Sequence, residues 1–153
     1  MYKIRYGEIM KFLFGAMFGF VLAMSTQAQE ITYGDGAFDA MFEIDSTFTR
    51  DGGKTFEVAA SGEAGDYGRT YLSYTFTDEQ RTRDRGEFTG FAWAQNGEEV
   101  NTATLRGIWK KSGKIFNLYT LDVVSNGKLN IGSGEVDFVA KTIKFKVSEL
   151  ETD

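Results

Sequence analysis

The run FTGFAWAQNGEEVNTATLRGIWKKSGKIFNLYTLDVVSNGKLNI, residues 88–131, decides the fold. It reads as four strands joined by three turn dipeptides, Asn96-Gly97, Ser112-Gly113 and Asn126-Gly127. Each dipeptide tolerates positive φ, which a two-residue hairpin needs if its twist is to match the flanking strands. Turn geometry sets register. Taken as two-residue loops, the three turns place Ala92 opposite Asn101, Phe88 opposite Leu105, Trp109 opposite Phe116 and Asp122 opposite Ile131. Side chains alternate faces along a strand. One face then carries Phe88, Gly90, Ala92, Ala103, Leu105, Gly107, Trp109, Phe116, Leu118, Asp122, Val124, Leu129 and Ile131. The other carries Phe91, Trp93, Val100, Arg106, Ile108, Tyr119, Leu121 and Val123. Both are apolar, whereas a half-buried antiparallel sheet has one polar face. Lys128 and Asn130, placed outward against Leu129 and Ile131, make the first face the core and the second an apolar surface in need of a cover.

Working outward, the segments on either side are also strands. Ala37 to Thr49 alternates, with Phe38, Phe42, Ile44 and Phe48 on one side. Asp51-Gly52-Gly53 fits a three-residue hairpin that sets Phe48 opposite Phe56 and Ile44 opposite Ala60. Arg69 to Thr77 puts Leu72, Tyr74 and Phe76 inward. On the C-terminal side, Ser133-Gly134 bends the chain into Glu135–Ala140. In the last strand Ile143, Phe145 and Val147 face in, while Lys144, Lys146 and Ser148 face out. No helical periodicity follows residue 28. About eight strands at spacings of ~8–12 residues, joined by short turns, give an all-β chain. The expected fold is an antiparallel up-and-down barrel, with a β-sandwich as the alternative.

Residues 12–24 form an apolar run too short to span a membrane, with Lys11 before it and Ser25-Thr26-Gln27-Ala28 after it. This is the pattern of a cleavable signal peptide, residues 1–28, with Met10 as an alternative start. A single domain, residues 29–153, follows. It is expected in the periplasm or outside the cell, with no integral membrane span after signal removal. The signal holds three basic residues (Lys3, Arg5, Lys11) and one acid (Glu8). The domain therefore keeps 14 of the 17 basic and 21 of the 22 acidic residues, a net charge of −7. An acidic domain lacks the basic stripe that phosphate contacts require, so nucleic acid is not an expected partner. The chain has no Cys, His or Pro. Zinc sites of the usual ligands, thiol chemistry and Ser-His-Asp hydrolysis are excluded, and no metal or other cofactor is implied.

Asp122 is the one charged residue that the registers place on the inward face, and an isolated buried carboxylate protonates or finds a partner. It is the candidate catalytic residue, an interior general acid. Phe88, Trp109 and Phe116 beside it are candidate ligand walls. Gly90, Ala92, Ala103 and Gly107 cluster on the same face, and there they either admit bulky rings from across the barrel or leave room for a ligand. The outward set Phe91, Trp93, Arg106, Ile108, Tyr119, Leu121 and Val123 has the composition of an interface core. It is the expected site of a homo-oligomer or protein partner. The polar run Thr77–Gly86 (TDEQRTRDRG) reads as a solvated loop, or as a lid or anion contact at a barrel mouth.

The segment GDYG, Gly65 to Gly68, ahead of the strand Tyr71-Leu72-Ser73-Tyr74, resembles the allene oxide cyclase and dirigent-type barrels. The resemblance implies an eight-stranded, often oligomeric barrel, in some members cyclising or orienting an apolar substrate held inside. No catalytic residue of those families finds a match here. Lipocalin- and avidin-like calycins share the strand count, but their Gly-x-Trp opening is missing. The function expected is an exported, non-catalytic barrel that binds a small apolar ligand or a protein partner. The alternative is a cofactor-free cyclase or isomerase with Asp122 as its acid. An outer-membrane barrel is disfavoured by the outward Glu43, Asp45, Lys144 and Lys146, since transmembrane strands need a continuous apolar band.

Overall fold

The computed structural model describes residues 33–150; the expected signal, residues 1–28, lies outside them. Eight antiparallel strands form a closed barrel in which each strand pairs with its sequence neighbours and the last pairs with the first. They are β1 (Phe38–Thr49), β2 (Thr55–Ala64), β3 (Arg69–Thr77), β4 (Arg85–Asn96), β5 (Glu99–Ser112), β6 (Ile115–Val124), β7 (Leu129–Asp137) and β8 (Thr142–Glu149). No helix among the described residues is long and apolar enough to cross a membrane.

The barrel follows the expected alternation, but several registers differ from those expected. Asn96 pairs with Glu99, and Ser112 with Ile115. The two-residue loops are thus Gly97-Glu98 and Gly113-Lys114, each opening on a glycine at φ +61 or +60. Glycine at the first loop position is the requirement of a type II′ turn. The shift is of two residues, so every side chain keeps its face. Phe88 now pairs with Gly107, and Trp109 with Leu118.

At Asn126-Gly127 the change is of one residue, and it matters. The amide of Val124 donates to the carbonyl of Lys128, and Gly127 takes φ +91 at the end of a three-residue loop. A one-residue slip exchanges faces. Leu129 and Ile131 therefore point outward and half-exposed, while Asn130, Gly132, Gly134 and Val136 point in. The core face of β4–β6 is the expected one, although Leu129 and Ile131 do not belong to it. Ser133-Gly134 is no bend either: β7 runs through it, and the chain turns at 138–141 with Lys141 at φ +58.

A bulge between Ile44 and Ser46 makes the third change. Ile44 pairs with Ala60 as expected, but beyond the bulge Phe48 pairs with Glu57 and lies outside, under the Arg50 guanidinium. Ser148, expected outside, is buried. Residues 33–37, ahead of β1, cover that wall, where the Tyr33 hydroxyl hydrogen-bonds Ser133 and its ring lies under Lys146.

The two ends of the barrel differ. At one end Phe56, Phe76, Trp109, Phe116 and Phe138 pack ring to ring, with centroid separations of 5.0–6.3 Å. Such pairs contribute ~0.5–1.5 kcal/mol each beyond their area. This end is plugged. The polar loop after β3 caps it: the buried Asp78 carboxylate accepts the amides of Thr82 and Arg83 at 2.9 and 2.6 Å. Burial raises the Asp78 pKa, but those amides and the Thr82 hydroxyl outweigh it and hold the carboxyl below its usual range. The other end is ringed by the β4–β5 and β6–β7 turns, the 3₁₀ turn Gly65–Tyr67 and the start of β1.

Candidate functional site

At that second end the interior is not filled. A cavity of about 80 Å³ lies between Phe38, Phe42, Leu72, Phe145 and Val147 on one side and Ala92, Ala103, Leu105 and Val124 on the other. Its polar lining is Tyr67, Thr70, Tyr74, Asn101, Thr102, Thr120, Asp122 and Asn130. A single water takes ~10–15 Å³ of such space, so there is room for several, or for a short-chain organic molecule.

The small residues of β4 and β5 explain where the space begins. A Cβ on Gly107 would stand 2.5 Å from Phe88 Cζ, and one on Gly90 would stand 2.7 Å from Tyr74 Cδ1. The space over those two glycines is taken by rings of the neighbouring strand and by the backbone carbonyls of Tyr119 and Ser73, not by rings from across the barrel as expected. Ala92 and Ala103, one step further along, line the cavity. The Tyr74 ring, 5.1 Å from Phe88 and 6.4 Å from Phe145, forms the floor between plug and cavity.

Asp122 stands on β6 with its side chain in this cavity and only 8% of the residue exposed. No ion pair among the described residues includes it. Burial pushes its carboxyl up from 3.8 to about 6, against the lowering effect of the Thr120 hydroxyl and the Arg106 amide. Thr120 Oγ1 lies within hydrogen-bond reach of both Asp122 Oδ1 and, at 3.2 Å, the Arg106 carbonyl. A hydroxyl has one proton to give. When Asp122 is protonated it donates to Thr120, which donates to the carbonyl. When Asp122 is ionised, Thr120 turns to it and gives up the carbonyl. Tyr74, also buried, has its phenol raised well above 10 by burial and by the nearby Asp122 charge. Every fully enclosed polar side-chain atom among the described residues has a partner. The Tyr74 hydroxyl has none among the described residues, and it borders the cavity. Asn130 Nδ2 donates to the Tyr67 hydroxyl at 3.3 Å, and Asn101 Nδ2 to Glu99 at 2.9 Å on the rim.

Of the expected ligand walls, Phe88, Trp109 and Phe116 all lie on the plug side of Tyr74 and none borders the cavity. Trp109 is held there by its indole N–H, which donates to the Thr77 carbonyl at 3.1 Å. Asp122 is thus separated from the three aromatics placed beside it in the sequence reading. The groups it does meet are Thr120 and Tyr74. Strand alternation puts both inward, and likewise Asn101; the one-residue slip at Gly127 hides Asn130. No group of three or more acidic, His or Cys side chains among the described residues is arranged to hold a metal.

The expected interface set is on the outer wall. Phe91, Trp93, Ile108, Tyr119, Leu121 and Val123 are 41–68% exposed, joined by Tyr71, whose ring stands 5.6 Å from that of Trp93. Phe91, Trp93, Tyr71 and Val123 edge a shallow groove across β3–β6. Arg106 pairs with Thr89 and Leu121 in the same band. The rest of the wall, β8, β1 and β2, is mainly charged, with Lys144, Lys146, Asp39, Glu43 and Glu57 exposed or partly so, and Met41 and Phe48 exposed among them. Comparison of the chain with protein-family models, with curated proteins and with solved structures returns no match.

Proposed function

We propose that this chain is an exported β-barrel module that binds a small, largely apolar ligand in the open end of the barrel, without turnover. The observation that carries the reading is the cavity itself: apolar walls, a few convergent polar groups, and a rigid barrel around them. That is the usual make-up of a small-molecule site. The likeness of residues 65–74 to allene oxide cyclase and dirigent-type barrels is consistent with an apolar guest. Amide NMR with 1-butanol as a neutral probe tests the reading. Shifts should centre on Leu72, Ala92 and Val124 and disappear in Ala103→Leu, which fills the space. Shifts that are absent, or that persist in Ala103→Leu, defeat it.

A carboxyl with a pKa of about 6 facing apolar walls favours a second reading, a cofactor-free isomerase or cyclase with Asp122 as general acid. Turnover of an apolar substrate that is lost in Asp122→Asn, with binding retained, distinguishes the two.

The apolar half of the outer wall adds a partner, and a second copy of this chain fits it. Seven large apolar side chains there stand 41–68% exposed in one band, and an exposed apolar patch larger than roughly a few hundred Å² marks an interaction surface. The charged half of the barrel would stay in water.

A further inference from the structure

We propose that the cavity takes a primary ammonium group on a short apolar stem, the cation lodging between Asp122 and Tyr74. This rests on the reading of the cavity as a ligand site and names the chemistry of its guest. Four observations meet here. Among the described residues Asp122 is the only charged side chain lining the cavity, and none of their ion pairs supplies it with a counter-ion. A buried carboxylate without one is costly, and an entering cation removes that cost. The Tyr74 hydroxyl, buried beside it and without a partner among the described residues, offers a second acceptor to a group with three donors. The walls beyond, Leu72, Phe145 and Val147, suit the stem.

The rim supplies the fourth. Among the described residues, Asp35, Asp39, Glu63, Asp66, Glu98, Glu99 and Glu149 stand around the open end, against Arg69, Lys128 and Lys146. Two of these bases are spent on ion pairs, Arg69 with Glu63 at 3.7 Å and Lys128 with Glu149 at 2.8 Å. Acids outnumber bases there. A mouth of one sign concentrates ligands of the other, so cations are drawn in and carboxylates repelled.

Titration of the protein with butylammonium, 1-butanol and butyrate tests the assignment. The other titratable side chains lining the cavity are the phenols of Tyr67 and Tyr74, so Asp122 is the group that titrates there near neutrality. At pH 7.5 butylammonium should bind about tenfold or more tightly than 1-butanol, as a charge-assisted hydrogen bond allows, and butyrate should not bind. Affinity for the amine should fall as pH is lowered through about 6, while affinity for the alcohol changes little. Asp122→Asn should lose the preference for the amine and its pH dependence, and keep the alcohol. The wild-type pH profile answers the question even if that variant folds poorly. Equal binding of alcohol and amine, a preference for butyrate, or an amine preference surviving in Asp122→Asn overturns the assignment and leaves the ligand-site reading intact. Failure of all three to bind overturns both.

Discussion

Asp122 works against the stability of the free barrel at neutral pH. Its folded pKa of about 6 lies above its ordinary value of 3.8, so the folded state holds the proton more tightly than the unfolded chain. Stability from this group is greatest below pH ~4 and falls as pH rises from ~4 to ~6, a loss of about 3 kcal/mol in all. Asp122→Asn should therefore melt higher than wild type at pH 7, by an amount that shrinks toward zero at pH 4. Thermal melts of both proteins across that range check it; a variant less stable at pH 7 would mean that the carboxylate is better solvated than its burial indicates. Asp78 has the opposite sign. Its folded pKa is depressed, so the stability it adds is present above its unfolded pKa and is lost as acid protonates it. Asp78→Ala should loosen residues 79–84, seen as faster proteolysis at Arg81 and Arg83, both held at positive φ.

The hairpins show what two- and three-residue turns do to a barrel. Gly107 has no room for a side chain: a Cβ there would run into the Tyr119 carbonyl oxygen first and the Phe88 ring next. Gly107→Ala should cost about 3 kcal/mol, because a backbone oxygen cannot step aside as a ring can. Gly113, in open space but at φ +60, should cost about 1–2 kcal/mol in backbone strain on the same change. Urea melts of the two variants rank them, and equal losses would show that the β5–β6 pairing yields easily at Gly107. The same turns explain how far the sequence could be read. The alternation of β4, β5 and β6 is legible in the sequence because sliding a two-residue loop by one position shifts the pairing by two and leaves faces unchanged. Leu129, Ile131 and Asn130 were misplaced because Ser125–Gly127 is one residue longer, and the dipeptide Asn-Gly serves either loop equally well. Phe48 was misread because no residue type announces a bulge at Asp45. Of the site, Asp122 and its small neighbours Ala92 and Ala103 could be found by alternation. That a cavity opens beside them depends on which layer the rings of Tyr74 and Phe88 fill, and this is a property of the assembled barrel rather than of any one strand.

At the scale of the molecule, the barrel is divided twice: plugged end from open end, apolar wall from charged wall. The second division predicts self-association. Trp93→Glu should dissociate the assembly with little change in melting, whereas Trp109→Glu, within the aromatic plug, should unfold the domain. Light scattering with thermal melting decides it, and a wild type monomeric at high concentration removes the interface. The topology has one more consequence, in the order of events. Seven of the eight pairings join neighbours through loops of at most seven residues, which close quickly and at small entropic cost. The eighth, Phe38 opposite Val147, joins residues more than a hundred positions apart. That seam is expected to zip last and to open first, and hydrogen exchange of its amides should outpace that of β4–β5. Phe38, Phe145 and Val147 are also walls of the cavity. The fluctuation that begins to unfold this barrel and the one that admits a guest would then be a single motion, and a bound amine should slow both.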